Sequence, residues 1–219
     1  MSEKKQSRPE NSDERINAAL SEWRQGDCTV EASQFLFAYD KKFPSTNTSR
    51  NLDPTESTGY AEEQVEGLII LTQTCDIIRK IQDRPFVEIA PIVSVNGSDL
   101  LEIAKRKRPR YALIPALSSQ KLVADLGRIM TIEKPLLLNW KKTSGCLNDS
   151  DKRAFAEALS RKRSRPALPN KFQGYLEPLI LRFRKKYRSN DDEAKWLGMI
   201  IEIRAQPSPD WDARMVRLW

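Results

Sequence analysis

Hydrophobic and polar positions alternate with two periods along this chain, and the switch between them divides it. Residues 12–25, SDERINAALSEWRQ, place Ile16, Ala19, Leu20 and Trp23 on one helical stripe, with Ser12 or Asp13 as N-cap. Gly26-Asp27 ends that helix. The run 28–39, CTVEASQFLFAY, is rich in β-formers and predicts a strand. Asp40 to Glu66 is polar, punctuated by Pro44, Pro54 and Gly59, and predicts a long inserted loop. Two apolar runs follow, GLIILTQTCDII (67–78) and PFVEIAPIVSV (85–95), each with the length and composition of a buried strand. SDLLEIAKR (98–106) predicts a short helix opened by Ser98 or Asp99. RYALIPAL (110–117) and KLVADLGRIMTI (121–132) predict a hairpin, after which Lys134 to Trp140 leaves the sheet.

Beyond residue 140 the period becomes helical. Asp149 to Arg163 spaces Phe155, Ala158 and Leu159 on one face, and Pro166 and Pro169 separate it from a second helix over about 170–188. GMIIEIRAQP (198–207) and DARMVRLW (212–219) predict a closing hairpin, with Trp211 and Trp219 set for burial or base stacking. The expected organisation is a polar arm and helix (1–25), a β-core (26–140) with a loop insertion at 40–66, a basic helical segment (141–197) and the hairpin (198–219). The class is α+β, with a small, mostly antiparallel barrel carrying a basic helical insertion near the C-terminus.

Charge sharpens this picture. The chain carries +7 overall, but residues 1–66 hold 8 basic and 13 acidic side chains, whereas residues 141–190 hold 14 basic and 4 acidic. A positive field concentrated in fifty residues suits a polyphosphate, because each neutralised phosphate releases condensed counterions; the alternative is a solvated basic face. With no histidine in the chain, a Ser/His triad and His-containing metal sites are excluded. Cys28, Cys75 and Cys146 form no CxxC pair, which argues against a zinc site or a disulfide framework and fits a reducing, cytoplasmic setting. No apolar run approaches the ~20 residues of a membrane span, and no cofactor is expected.

Three groups of residues could carry chemistry. The first is Gln73, Cys75 and Asp76 with Arg79 and Lys80 behind them, where polar residues break an apolar strand. They could bind phosphate or activate a nucleophile, or else Cys75 is a small core residue and Asp76 caps a turn. The second is Arg128, able to clamp a phosphate, with Thr131, Glu133 and Lys134 beside it; the alternative is a structural Arg and a Glu133–Lys134 surface pair. The third comprises two basic clusters, Lys105, Arg106, Lys107, Arg108 and Arg110 beside Tyr111, and Arg161, Lys162, Arg163 and Arg165. Basic residues next to an aromatic suit single-stranded backbone tracking and base stacking.

The strand set from 26 to 138 resembles the MazF/PemK/Kid family of small-barrel growth-inhibiting ribonucleases. Gly26-Asp27 is similar to that family's opening strand, GLIILTQTCD to its second and FVEIAPIVSV to its third. VADLGRIMTIEKPLL (123–137) is similar to its Ile-Arg-Thr-acidic-Lys run. The resemblance covers about half the chain. It implies an SH3-like/PemK-like barrel and metal-independent cleavage of RNA through the 2′-hydroxyl, in a toxin–antitoxin or antiphage-defence setting. RNA ranks ahead of DNA as partner, and an antitoxin, another protein partner or a second copy in a homodimer is also implied. The family's arginine just before the second strand and Thr or Ser at the end of the third correspond here to Glu66 and to Val93 beside Ser94, so the arginine is missing. If the chain cleaves RNA, the residue chemistry above assigns the work to Arg128 and the Gln73–Asp76 segment converging on one cleft, with Cys75 or Asp76 as base; the other reading is a non-catalytic nucleic-acid-binding or partner-binding subunit.

Overall fold

The computed structural model describes residues 12–31, 33–53, 59–164, 170–187, 191–199, 205–207 and 216–218. The chain divides into two compact units, Met1–Arg163 and Ser164–Trp219.

The first unit is mixed α/β, built on a seven-stranded, curled antiparallel sheet of half-barrel form. Its strands are β1 (Asp27–Thr29), β4 (Gly67–Ile70), β5 (Phe86–Ser94), β6 (Tyr111–Leu113), β7 (Leu122–Asp125), β8 (Met130–Glu133) and β9 (Thr143–Ser144). The order is β6-β7-β5-β4-β1-β9, and β8 pairs with β5 beyond the end of β7. The curl brings the two ends of this path together: the Gly145 carbonyl accepts from the Ala116 amide at 3.1 Å, and the Gly145 amide donates to Gly26 at 3.2 Å. A side chain at Gly145 would stand 2.3 Å from the Gly26 carbonyl oxygen, so only glycine permits this closure.

Apolar residues fill both faces of the sheet. Ile69, Leu71, Ala90 and Ile92 pack on one side with Phe155 and Leu159 of α5 (Asp149–Arg163). Leu68, Ile70, Val87 and Ile89 pack on the other with Leu20 of α1 (Ser12–Leu20), Trp23, Phe35 and Leu137. Burial on both faces explains why 67–71 and 89–93 read as continuous apolar runs rather than alternating ones.

Several expected boundaries move. The 28–39 run is two strands, β1 and then β2 (Ser33–Ala38), which belong to different sheets. The expected 40–66 loop contains α2 (Asn47–Arg50) and β3 (Tyr60–Val65); β3 pairs antiparallel with β2 in a separate ribbon. The 67–78 strand ends at Ile70. The Thr72 hydroxyl then accepts from the Glu88 amide at 2.7 Å, and the chain turns into the short helix α3 (Thr74–Ile77). The helix expected at 98–106 is α4 (Gly97–Ala104), capped by Asn96 rather than Ser98 or Asp99. The 121–132 strand is broken into β7 and β8 by the turn at 126–129, because Asp125 and Arg128 are committed to an ion-pair network.

The second unit holds α6 (Asn170–Tyr187), α7 (Asp192–Met199) and the hairpin of β10 (Ala205–Pro207) with β11 (Val216–Leu218). This hairpin forms a two-stranded sheet within its own unit. No helix among the described residues is long and apolar enough to cross a membrane.

Candidate nucleic-acid interface

The densest polar constellation centres on Asp125, at the end of β7 and almost wholly buried. Its Oδ1 accepts from Arg110 Nε at 2.9 Å and from the Gly127 amide at 3.0 Å. Its Oδ2 accepts from Arg110 Nη2 at 2.8 Å and Arg128 Nε at 2.9 Å. Burial alone would push this carboxyl up, but hydrogen bonds from Arg110, Gly127 and Arg128 outweigh it and hold it below the usual carboxylate range. Arg128 Nη1 also donates to Glu63 Oε1 at 2.7 Å, and its guanidinium lies 5.7 Å from the Phe35 ring centroid. The Arg110 guanidinium stands 5.3 Å from the Tyr111 ring centroid, and its side chain is 56% exposed. A side chain at Gly127 would come within 3.0 Å of Asp125 Oδ1 and 3.1 Å of Arg110 Nε, so any other residue there would press on the network.

The two basic clusters, distant in sequence, meet on α5. Arg106, held at φ 63° in the turn after α4, reaches Glu157 at 3.0 Å. Glu157 lies one turn before Arg161 on the same helical face, so the 105–107 turn is tethered beside the basic end of α5. Lys105 and Lys107 are exposed there, while Arg161 and Lys162 are half-buried. The last turn of α5 also suits cations because of the helix dipole. Other members are engaged in ion pairs: Arg108 bonds Asp99 at 2.8 Å and Glu102 at 2.6 Å, and Arg163 pairs with Glu88 of β5. Lys80 is exposed, and Arg79 pairs loosely with Asp76 at 3.5 Å. Arg165, Trp211 and Trp219 lie outside the described residues.

The polar break after β4 is a structural knot. Gln25 donates its amide to Thr74 Oγ1 at 3.1 Å and its side chain to the Leu71 carbonyl at 2.7 Å. Lys134 is fully buried and donates Nζ to the carbonyls of Asp76 at 2.7 Å and Arg79 at 2.9 Å, so it is no surface partner of Glu133. Cys75 is exposed rather than a core residue, and its Sγ lies 3.7 Å from Gln73 Oε1. Arg128 precedes β8 while Lys134, which holds the Gln73–Asp76 segment, follows it. Arg128 is bonded to Asp125 and Glu63, and among the described residues no hydrogen bond or ion pair joins it to that segment.

The thiols differ in the same way. Cys28 is buried in the sheet and its thiol is pushed up to about 12, by burial first and by Asp27 second. Cys146 rises to about 11, by burial and then by Asp151 and Asp27. Timed alkylation near pH 7 should therefore label Cys75 first, Cys146 slowly and Cys28 only after unfolding, because the thiolate is the reactive species. Peptide mass spectrometry reads the order, and early labelling of Cys28 would contradict the packing of β1.

Asp125, Glu63 and the interior position of Lys134 escaped the sequence reading. One signal for Glu63 was present: in YAEEQV the inward alternation Ala61, Glu63, Val65 puts a carboxylate on a buried face. No protein-family model and no curated protein matches the chain.

Proposed function

We propose that this chain binds single-stranded nucleic acid, RNA ahead of DNA, on a basic surface made by the 105–107 turn and the end of α5. The reading keeps the curled sheet as a MazF/PemK-like scaffold and makes retention, rather than cleavage, its activity. The observation that carries it is the Arg106–Glu157 pair, which joins two basic clusters more than fifty residues apart into one surface. Two observations weigh against an endoribonuclease. The family's arginine position holds Glu66, and Arg128 is already held by Asp125 and Glu63. A toxin–antitoxin or defence setting, with an antitoxin or a second copy as partner, rests on the sequence resemblance.

The test is incubation of labelled single-stranded RNA with the full chain in EDTA at several salt concentrations. Each neutralised phosphate contributes about −0.7 to the log–log slope, so six contacts give roughly −4. Retention with that slope and intact RNA supports the reading. A flat salt dependence means that the basic side chains serve another purpose, and metal-free fragments would restore the ribonuclease.

A further inference from the structure

We propose that Arg110 and Arg128, aligned on the buried carboxylate of Asp125, form a phosphodiester-binding site whose Arg128 half is covered by Glu63 in the free protein. The inference rests on the nucleic-acid-binding reading and gives it a second, masked contact besides the 105–107 turn and the end of α5.

The geometry is that of a built anion site. Both arginines donate to the same oxygen, Asp125 Oδ2, so their guanidinium groups stand side by side. Like charges that close repel, and one carboxylate neutralises only one of them. Arg110 donates to Asp125 through Nε and Nη2, which leaves its Nη1 without a protein partner among the described residues. Its planar fork is held by the bidentate bond to Asp125 and by its position over Tyr111.

Glu63 supplies the missing negative charge. It lies on the inward face of the β2–β3 ribbon, directly opposite Phe35, and this cross-strand pair flanks the Arg128 guanidinium with a carboxylate and an aromatic ring. With Glu63 in place, two arginines and two carboxylates cancel. With Glu63 turned away, the site has one excess positive charge, which matches the single negative charge of a phosphodiester. Phe35 is buried and anchors the ribbon, whereas the Glu63 side chain is 32% exposed. The carboxylate can therefore turn outward while the ribbon stays in place. Arginine is suited to this exchange, because carboxylate and phosphate oxygens meet the same pair of N–H donors.

Glu63→Gln removes the competing charge and keeps the side-chain shape. Its affinity for a ten-nucleotide single-stranded RNA should rise several-fold at low salt, and the log–log salt slope should steepen by about 0.7, the contribution of one added phosphate contact. Glu62→Gln makes the same charge change on the exposed face of the same strand and separates local unmasking from a general loss of negative charge. A steeper slope for Glu63→Gln alone supports the proposal. Equal changes in both variants, or none in Glu63→Gln while the wild-type chain binds RNA, overturn it and leave the basic surface on α5 standing. Absence of RNA binding by the wild-type chain and both variants overturns the two readings together. This comparison needs no substitution of Arg128, whose loss could disturb folding.

Discussion

Replacing Asp125 with alanine should destabilise the sheet unit by about 3 kcal/mol, the lower end of the range for breaking a buried ion pair. The carboxylate is nearly inaccessible and accepts four hydrogen bonds, from two guanidinium groups and one backbone amide. Its removal leaves Arg128 with Glu63 alone and the Gly127 amide without its acceptor. Arg110 can turn into solvent, which keeps the loss from reaching the upper end of that range. For a unit of this size the thermal midpoint should fall by roughly 6–12 °C. Arg110→Ala should cost less, about 1 kcal/mol, because that side chain is more than half exposed and Arg128 still neutralises Asp125. The pH dependence is fixed by the lowered folded-state pKa. The contribution of Asp125 is complete above the ordinary value of 3.8 and is lost as pH falls through the lower folded value. Urea unfolding of wild type and variant should therefore show a gap that stays constant from pH 7 down to about the ordinary value of 3.8 and narrows only below it. A gap near zero at pH 7 would mean that the network is ornamental to folding.

That network also marks the limit of what the sequence discloses. The strand β5 was legible to within one residue, because an apolar run bounded by Pro85 and by Asn96-Gly97 has few other solutions. The helix α5 was legible from Phe155, Ala158 and Leu159 at helical spacing. β3 was not: YAEEQV holds three acidic or amide side chains that face outward or pair with Arg128, and its apolar content is too low to mark a strand. The strand end at Ile70 was missed for the opposite reason, since the apolar run continues into Leu71 while the polar Thr72 and Thr74 already act as backbone partners.

The candidate site was legible as a set of residue types and not as an arrangement. Arg128 was singled out from its motif, but its partners lie 65 residues upstream at Glu63 and three at Asp125, and spacing in sequence says nothing of the first. The basic clusters were read as independent, and only the fold joins them through Glu157. Ion pairing also reduces the charge that the clusters present, because Arg108 and Arg163 are already matched by acids. A net charge counted along a chain is therefore an upper bound on the field that a ligand meets.

Lys134→Ala should be the most damaging single change near the Gln73–Asp76 segment, at about 4 kcal/mol. Two effects add: the cavity left by a four-carbon side chain, comparable to a buried large-to-small substitution, and the loss of donors to the carbonyls of Asp76 and Arg79. Lys134→Met fills most of the volume and removes only the donors, so it should cost about 2 kcal/mol. Part of that loss is offset, since burial disfavours the ammonium and holds its pKa below the ordinary 10.5, with Asp76 opposing the shift and Arg84 and Arg79 adding to it. The sign follows from the lowered value. At pH below the folded pKa the wild-type chain carries the penalty of an interior charge, and that penalty fades as pH rises toward 10.5. A neutral amine still offers two N–H donors, so the wild-type advantage over the methionine variant should grow in alkali. Amide exchange at Ile77 and Ile78, whose hydrogen bonds to Gln73 and Thr74 close the turn of α3, should accelerate in both variants ahead of the β5 amides. Unchanged exchange and stability in Lys134→Met would reduce the lysine to a space-filling stem and leave the α3 turn to be held by Gln25 and Thr74 alone.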